Sequence, residues 1–82
     1  MNCYPFHVEF SLYSENIFIE SNCNAITFSN TGNVNVIING YSLVPGATLV
    51  VQGNFGEMDT TTYNLIFTGG NGQCTVIRKF YN

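Results

Sequence analysis

The chain has 82 residues, a single-domain length at which folding buries only about 60–65% of the unfolded surface. Charged residues make up 9% of it, against roughly 25% in typical soluble domains. Two adjacent basic residues, Arg78 and Lys79, stand against five acidic ones. Two cations displace too few phosphate counterions to bind nucleic acid, so we exclude that class of partner and expect no binding to anionic membranes.

Residues 1–5 have neither a basic start nor a long apolar stretch, so we expect no signal peptide. No apolar run reaches the roughly 18 residues of a membrane-spanning helix. The three cysteines, Cys3, Cys23 and Cys74, are an odd number with no CxxC spacing. This usage favours free thiols in a reducing cytoplasm, with one disulfide and one free thiol as the alternative.

Residues that favour β-strands dominate the composition, and apolar and polar residues alternate in short runs. In the first run, the alternation assigns Phe6, Val8, Phe10 and Leu12 to the inward face and His7 to the polar face. In chain order, the runs are residues 6–12, 17–19, 26–28, 34–38, 41–44, 49–51, 63–67 and 74–81.

Turn residues separate these runs. Asn39-Gly40 suits a type I′ turn, in which both central residues need a positive φ. Pro45-Gly46 suits a type II turn. Asn30-Thr31-Gly32 marks another reversal, and Gly69-Gly70-Asn71-Gly72 predicts a hairpin turn. The longest loop is residues 53–59.

The pattern predicts one all-β domain over residues 1–82, a small antiparallel β-sandwich of seven to eight short strands, immunoglobulin-like or jelly-roll-like. Some apolar residues are out of phase with the inward set, and few charges protect the strand edges. We therefore predict an oligomer or larger assembly, with a monomer that exposes scattered apolar residues as the alternative. The predicted interface residues are Ile37, Val50, Ile66, Ile77 and Tyr81.

No set of side chains predicts catalysis. His7 is the single histidine, and a hydrolase would need it to meet Cys3 or Cys74 in space. Glu57 and Asp59 do not have the spacing of a calcium loop. Asp59 precedes three threonines, which suits a turn in which its carboxylate accepts backbone N–H bonds. We predict a non-enzymatic protein with no metal and no cofactor.

A binding module for a glycan or a surface receptor is the alternative function. Exposed aromatic rings stack on sugars, and the longest loop offers polar side chains beside them. The lack of tryptophan makes a carbohydrate platform less persuasive. The ligand residues would be Tyr41, Asn54, Phe55, Glu57 and Asp59.

Residues 26–67 carry a series of strand and turn motifs. They are Phe28-Ser29-Asn30-Thr31-Gly32, Val36-x-Ile38-Asn39-Gly40, Leu43-x-Pro45-Gly46, Gly53-Asn54-x-Gly56-Glu57-x-Asp59-x-Thr61-x-Tyr63 and Ile66-Phe67. The series resembles small β-sandwich virion proteins of tailed phages that infect Bacteroidota, including crAss-like phages. The resemblance implies a structural protein, a capsid decoration or tail accessory component, and transfers no catalytic residue. It also implies synthesis in the host cytoplasm, location in the virion, and partners among capsid or tail subunits and copies of itself.

Overall fold

The computed structural model describes residues 3–82, so Met1 and Asn2 lie outside the described residues. Within residues 3–82 no helix is long and apolar enough to cross a membrane. The predicted all-β fold is confirmed. Its strands are β1 (Phe6–Tyr13), β2 (Ile17–Glu20), β3 (Ala25–Asn30), β4 (Val36–Ile38), β5 (Tyr41–Leu43), β6 (Thr48–Val51), β7 (Thr62–Phe67) and β8 (Cys74–Tyr81).

Two antiparallel four-stranded sheets form the sandwich. The first sheet has the order β1-β8-β3-β6, and the second has the order β2-β7-β4-β5. Strand β1 pairs with β8, β2 with β7, β3 with β6 and β4 with β5. The chain is thus a long hairpin whose nested strand pairs alternate between the sheets. This order is that of an eight-stranded jelly roll; an immunoglobulin domain groups its strands differently.

The core lies between the sheets and is built mostly from the inward residues of the central strands, with Ile19 and Leu43 added by edge strands β2 and β5. Phe28 of β3 and Leu65 of β7 are fully buried, and the Phe28 and Tyr63 rings pack edge to face at a centroid distance of 4.9 Å. Burying each large apolar side chain contributes about 1.5–3 kcal/mol. The other core residues are Ile19, Cys23, Ile26, Val36, Ile38, Leu43, Cys74 and Val76.

Two of the predicted turns are confirmed and a third is wrong. Asn39 and Gly40, with φ values of 47° and 87°, join β4 to β5 as the predicted two-residue hairpin. Gly46 has the positive φ, 85°, that a type II turn requires after Pro45. The prediction of a hairpin at residues 69–72 is wrong, because β7 and β8 belong to different sheets. That segment carries the chain from the second sheet to the first.

The predicted inward face of β1 is also wrong. Its pairing with β8 sets which face is buried, since Val76 and Cys74 of β8 point into the core opposite Ser11 and Tyr13. The alternate residues of β1 therefore point away from the second sheet. Alternation shows which residues share a face, and the register with the neighbouring strand decides whether that face is buried. The exposed residues are Phe6, Val8, Phe10 and Leu12, at 54%, 42%, 68% and 61%.

Candidate functional site

The side of the first sheet that faces away from the core, called here the outer face, is largely apolar. Strand registers place four residues of β1, four of β8, three of β3 and two of β6 on it. Lys79 is its single charged residue within the described chain. The outer face comprises Phe6, Val8, Phe10, Leu12, Ala25, Thr27, Ser29, Thr48, Val50, Thr75, Ile77, Lys79 and Tyr81.

Aromatic rings surround the charge at one end of the outer face. The Lys79 ammonium lies 4.3 Å from the centroid of the Phe6 ring and 4.8 Å from that of Tyr81. Phe55 lies 5.6 Å from Tyr81 and stacks on Tyr4 at 4.2 Å, so the cluster extends onto the loop 53–59. Cation–π and aromatic contacts of this kind contribute about 0.5–1.5 kcal/mol each. Lys79 and Tyr81 are two residues apart in β8 and therefore share a strand face, whereas their contacts with Phe6 and Phe55 depend on the strand register and the loop path.

The structure divides the five predicted interface residues between opposite sides of the sandwich. Val50, Ile77 and Tyr81 lie on the outer face, with Val50 exposed and the other two half-buried. Ile37 and Ile66 pair directly across β4 and β7, on the outward side of the second sheet. One flat interface therefore does not contain all five residues.

The five predicted ligand residues do not form one site. Tyr41 is exposed in β5, an edge strand of the second sheet. Phe55 packs against Tyr4 and Tyr81. An open cavity of about 360 Å³ lies beside the loop and is lined by Asn24, Val51, Gln52, Gly53, Glu57, Met58, Asp59, Thr61 and Tyr63. It thus includes Glu57 and Asp59 and leaves out the other three predicted residues.

Asp59 is a hydrogen-bond acceptor within the fold, in the role that the sequence predicted. Its carboxylate accepts from the Thr61 N–H at 2.8 Å and the Tyr63 hydroxyl at 2.7 Å. The Ser21 hydroxyl, 3.0 Å from the carboxylate, shares its one hydrogen with the backbone carbonyls of Asp59 and Thr61, at 2.7 and 2.9 Å. Burial alone raises the pKa of the Asp59 carboxyl, but the hydrogen bonds from Tyr63, Thr61 and Ser21 outweigh it and lower that pKa below the ordinary value. Burial and the bond to Asp59 raise the pKa of Tyr63 to about 12. The carboxylate is ionised, and both of its oxygens accept hydrogen bonds within the fold.

Asn24 ties the loop 53–59 to the first sheet. Its side-chain N–H donates to the Glu57 carbonyl, and its side-chain oxygen accepts from the Tyr81 N–H at 2.8 Å. Within the loop, the Asn54 N–H donates to the Glu57 carboxylate at 2.8 Å. The polar groups that would recognise a ligand are thus partly occupied by the loop itself.

His7 has a surface position on β1. Its Nδ1 is 2.8 Å from the Asn82 side-chain oxygen, its Nε2 is 3.5 Å from Glu9, and its ring stacks on Phe80. Cys74 pairs with Tyr13, six residues along β1 from His7, a separation of about 20 Å. His7 and the Cys74 thiol therefore do not meet, as a hydrolase that used Cys74 as its nucleophile would require.

All three cysteines are unpaired, Cys3 exposed and Cys23 and Cys74 buried. Burial raises the pKa of the Cys74 thiol to about 11. Burial, followed by the nearby charge of Asp59, raises that of Cys23 as well. Both core thiols are therefore protonated at neutral pH and are poor nucleophiles. Across residues 3–82, no group of three or more His, Cys, Asp or Glu side chains is placed to hold a metal ion.

Comparisons of the chain with protein-family models, with curated proteins and with solved structures find no match.

Proposed function

We propose that this chain is a non-enzymatic structural protein of a phage virion, a capsid decoration or tail accessory component, whose outer face binds a neighbouring subunit. The observation that carries the proposal is the row of large apolar side chains along β1, exposed by 42 to 68%. Removing apolar surface from water is worth about 25 cal/mol per Å². Contiguous apolar patches of more than a few hundred Å² on a soluble protein mark interaction sites.

The charge distribution supports a protein partner. Lys79, the single charge on the outer face, already lies over the rings of Phe6 and Tyr81. A subunit that covers this face buries neutral Thr and Ser side chains with the apolar ones. Covering it therefore avoids most of the desolvation cost that buried charges impose. Depletion of charge at the centre is also typical of protein interfaces.

Two further features support the virion assignment. Residues 26–67 resemble virion proteins of tailed phages, as described above. The jelly-roll strand order adds support by analogy, because jelly rolls build many viral capsid proteins. Detection of the chain by mass spectrometry in density-purified particles of its source phage tests this assignment. Its absence from such particles would overturn it.

Two matched isoleucines test which side of the sandwich binds. Ile77 lies at the centre of the outer face, and Ile66 lies outward on the second sheet; both are strand residues that point away from the core. Ile77→Lys should abolish co-sedimentation of the chain with particles that lack it, whereas Ile66→Lys should leave it intact. The reverse result would place the contact on the second sheet, where Ile37 and Ile66 lie. Circular dichroism of both variants checks that they are folded.

The glycan-binding alternative has one favourable observation, the cavity of about 360 Å³ beside Glu57 and Asp59. The cavity lies beside the loop 53–59 that also carries the exposed Phe55 ring, and its volume is large enough for one sugar unit. If this function applies, a glycan screen followed by titration should change the tyrosine fluorescence of the isolated protein, and Phe55→Ala should weaken binding. A screen with no binder removes the support for it.

A further inference from the structure

Strand β1 has an open edge with few of the usual barriers to further pairing. It pairs with β8 on one side, and no other strand of residues 3–82 lies on its opposite side. Its eight residues include no proline, glycine or lysine, and its register with β8 is continuous, without a bulge. Natural edge strands are usually short or are blocked by such residues and bulges. The open edge is therefore competent to add a strand.

The register identifies the backbone groups at this edge. The Asn82 N–H donates to the Pro5 carbonyl at 2.9 Å, and these two residues continue the register of β1 with β8. In antiparallel pairs, hydrogen-bonded and non-hydrogen-bonded positions alternate. The odd-numbered residues of β1 thus bond to β8. The backbone N–H and C=O groups that point to the open edge belong to Phe6, Val8, Phe10 and Leu12, whose side chains lie on the outer face.

We propose that two copies of the chain pair through β1, antiparallel about a two-fold axis at Phe10, so that two first sheets become one eight-stranded sheet. This proposal rests on the proposed function in treating a second copy as one of the neighbouring subunits. Phe10 then lies opposite Phe10 of the partner subunit, and Val8 lies opposite Leu12 of the partner subunit. The two-fold axis repeats the Val8–Leu12 pair, which gives three pairs in all. Each is a hydrogen-bonded pair with two bonds, so together they supply about six backbone hydrogen bonds. Both outer faces lie on the same side of the combined sheet.

Charge complementarity favours a second copy over an unrelated strand. Glu9 is the direct neighbour of Arg78 on β8, yet within residues 3–82 its carboxylate makes no salt bridge to Arg78 and lies 3.5 Å from the Nε2 of His7. The Arg78 guanidinium instead donates to the Ser11 hydroxyl at 3.4 Å and to the Glu20 carbonyl at 3.3 Å. In the proposed register Glu9 lies opposite Ser11 of the partner subunit. It therefore lies beside the Arg78 guanidinium of the partner subunit, which donates to that Ser11 hydroxyl. The two-fold axis forms this contact twice.

The same charges select the register. An axis at Glu9, one residue away, sets the two Glu9 carboxylates directly opposite each other, and like charges in that position are destabilising. The axis at Phe10 avoids this contact and brings apolar side chains together. Two-fold pairing uses the β1 edge of both copies, so the dimer is closed and cannot grow into a fibre through β1.

A cross-linking experiment tests the register in a Cys3→Ser background, in which the remaining cysteines are buried. Phe10→Cys should give a covalent dimer with a short bifunctional thiol reagent, because the Cα atoms of a hydrogen-bonded pair are about 5.5 Å apart. Val8→Cys is the matched control on the same strand and face. It should not cross-link to itself but should cross-link to Leu12→Cys in a mixture. Equal cross-linking of both single variants, or none with Phe10→Cys, would overturn the proposal.

A backbone substitution tests edge pairing without the reagent. Because the Phe10 N–H points away from β8, Phe10→Pro keeps the ladder within the chain and removes a donor from the dimer. Light scattering over a concentration series should give a dimer Kd at least about tenfold weaker for Phe10→Pro than for Phe10→Ala, which keeps the N–H. Equal Kd values would contradict edge pairing. Ile77→Lys tests the proposed function separately. Particle binding by Phe10→Pro would show that the proposed function holds even if the chain does not pair through β1.

Discussion

Replacing Asp59 by asparagine should destabilise the fold more than its half-exposed position suggests. The carboxylate accepts hydrogen bonds from Thr61 and Tyr63 and shares the Ser21 hydroxyl with two backbone carbonyls. Asparagine keeps one oxygen acceptor but turns an N–H group toward one of the donors, and it removes the charge that strengthens these bonds. A hydrogen bond to a charged group contributes about 1.5–3 kcal/mol. We expect Asp59→Asn to lower the free energy of unfolding by about 2–3 kcal/mol.

Thermal unfolding at pH 7 followed by circular dichroism measures this loss. For a domain of this size, 1 kcal/mol corresponds to about 4–8 °C in Tm, so the variant should melt roughly 10–20 °C below the natural protein. Tyr63→Phe removes only the hydroxyl and keeps the ring against Phe28. Because Tyr63 and Asp59 share a hydrogen bond, Tyr63→Phe should cost less in the Asp59→Asn background than in the natural protein.

The pH dependence of the Tm difference between the natural protein and Asp59→Asn provides the control. The pKa of Asp59 is lower in the folded state than in the unfolded chain, so its stabilisation is complete above the unfolded value of about 3.9. That stabilisation is lost as the pH falls through the folded-state pKa. The Tm gap between natural protein and Asp59→Asn should therefore narrow below pH 4. Equal Tm values at pH 7, or a gap that stays constant to pH 2, would refute the reasoning.

Two further substitutions test the packing of the loops. Gly53→Ala should cost several kcal/mol in a urea unfolding curve, because a Cβ on Gly53 would overlap the Asn24 backbone carbonyl; an unchanged midpoint would show that the loop path is wrong. Asn30→Leu should cost about 2–4 kcal/mol by the same assay, since the buried Asn30 amide donates to the carbonyls of Val34 and Leu43, and leaving them without partners is expensive. Midpoints within error of the natural protein would contradict that role.

Local chemistry made several features predictable. Asn39-Gly40 carries its own conformational preference, so the hairpin between β4 and β5 followed from two residues. Asp59 before three threonines likewise indicated a turn in which the carboxylate accepts N–H bonds, and its bond from Thr61 follows that pattern. Short alternating runs indicated the sandwich class.

Non-local pairing decided what the sequence did not reveal. The alternation of Phe6, Val8 and Phe10 is equally compatible with an inward and an outward face, and only the register with β8 turns it outward. The glycines at 69–72 mark a change of direction, but whether a turn joins neighbours or crosses between sheets depends on strands elsewhere in the chain. The position of Lys79 over Phe6 has the same origin. The candidate site was therefore only partly predictable, through Val50, Ile77 and Tyr81.

Oxidative footprinting of the assembled protein tests most directly whether the outer face is the covered surface. Phe10 on the outer face and Phe18 on the second sheet are the same residue type, with nearly equal exposure of 68% and 71%. Hydroxyl-radical labelling, read by mass spectrometry, compares the dilute free chain with particle-bound chain. We predict that binding protects Phe10 several-fold and leaves Phe18 labelled as in the free chain. Protection of Phe18 with full labelling of Phe10 would contradict the account.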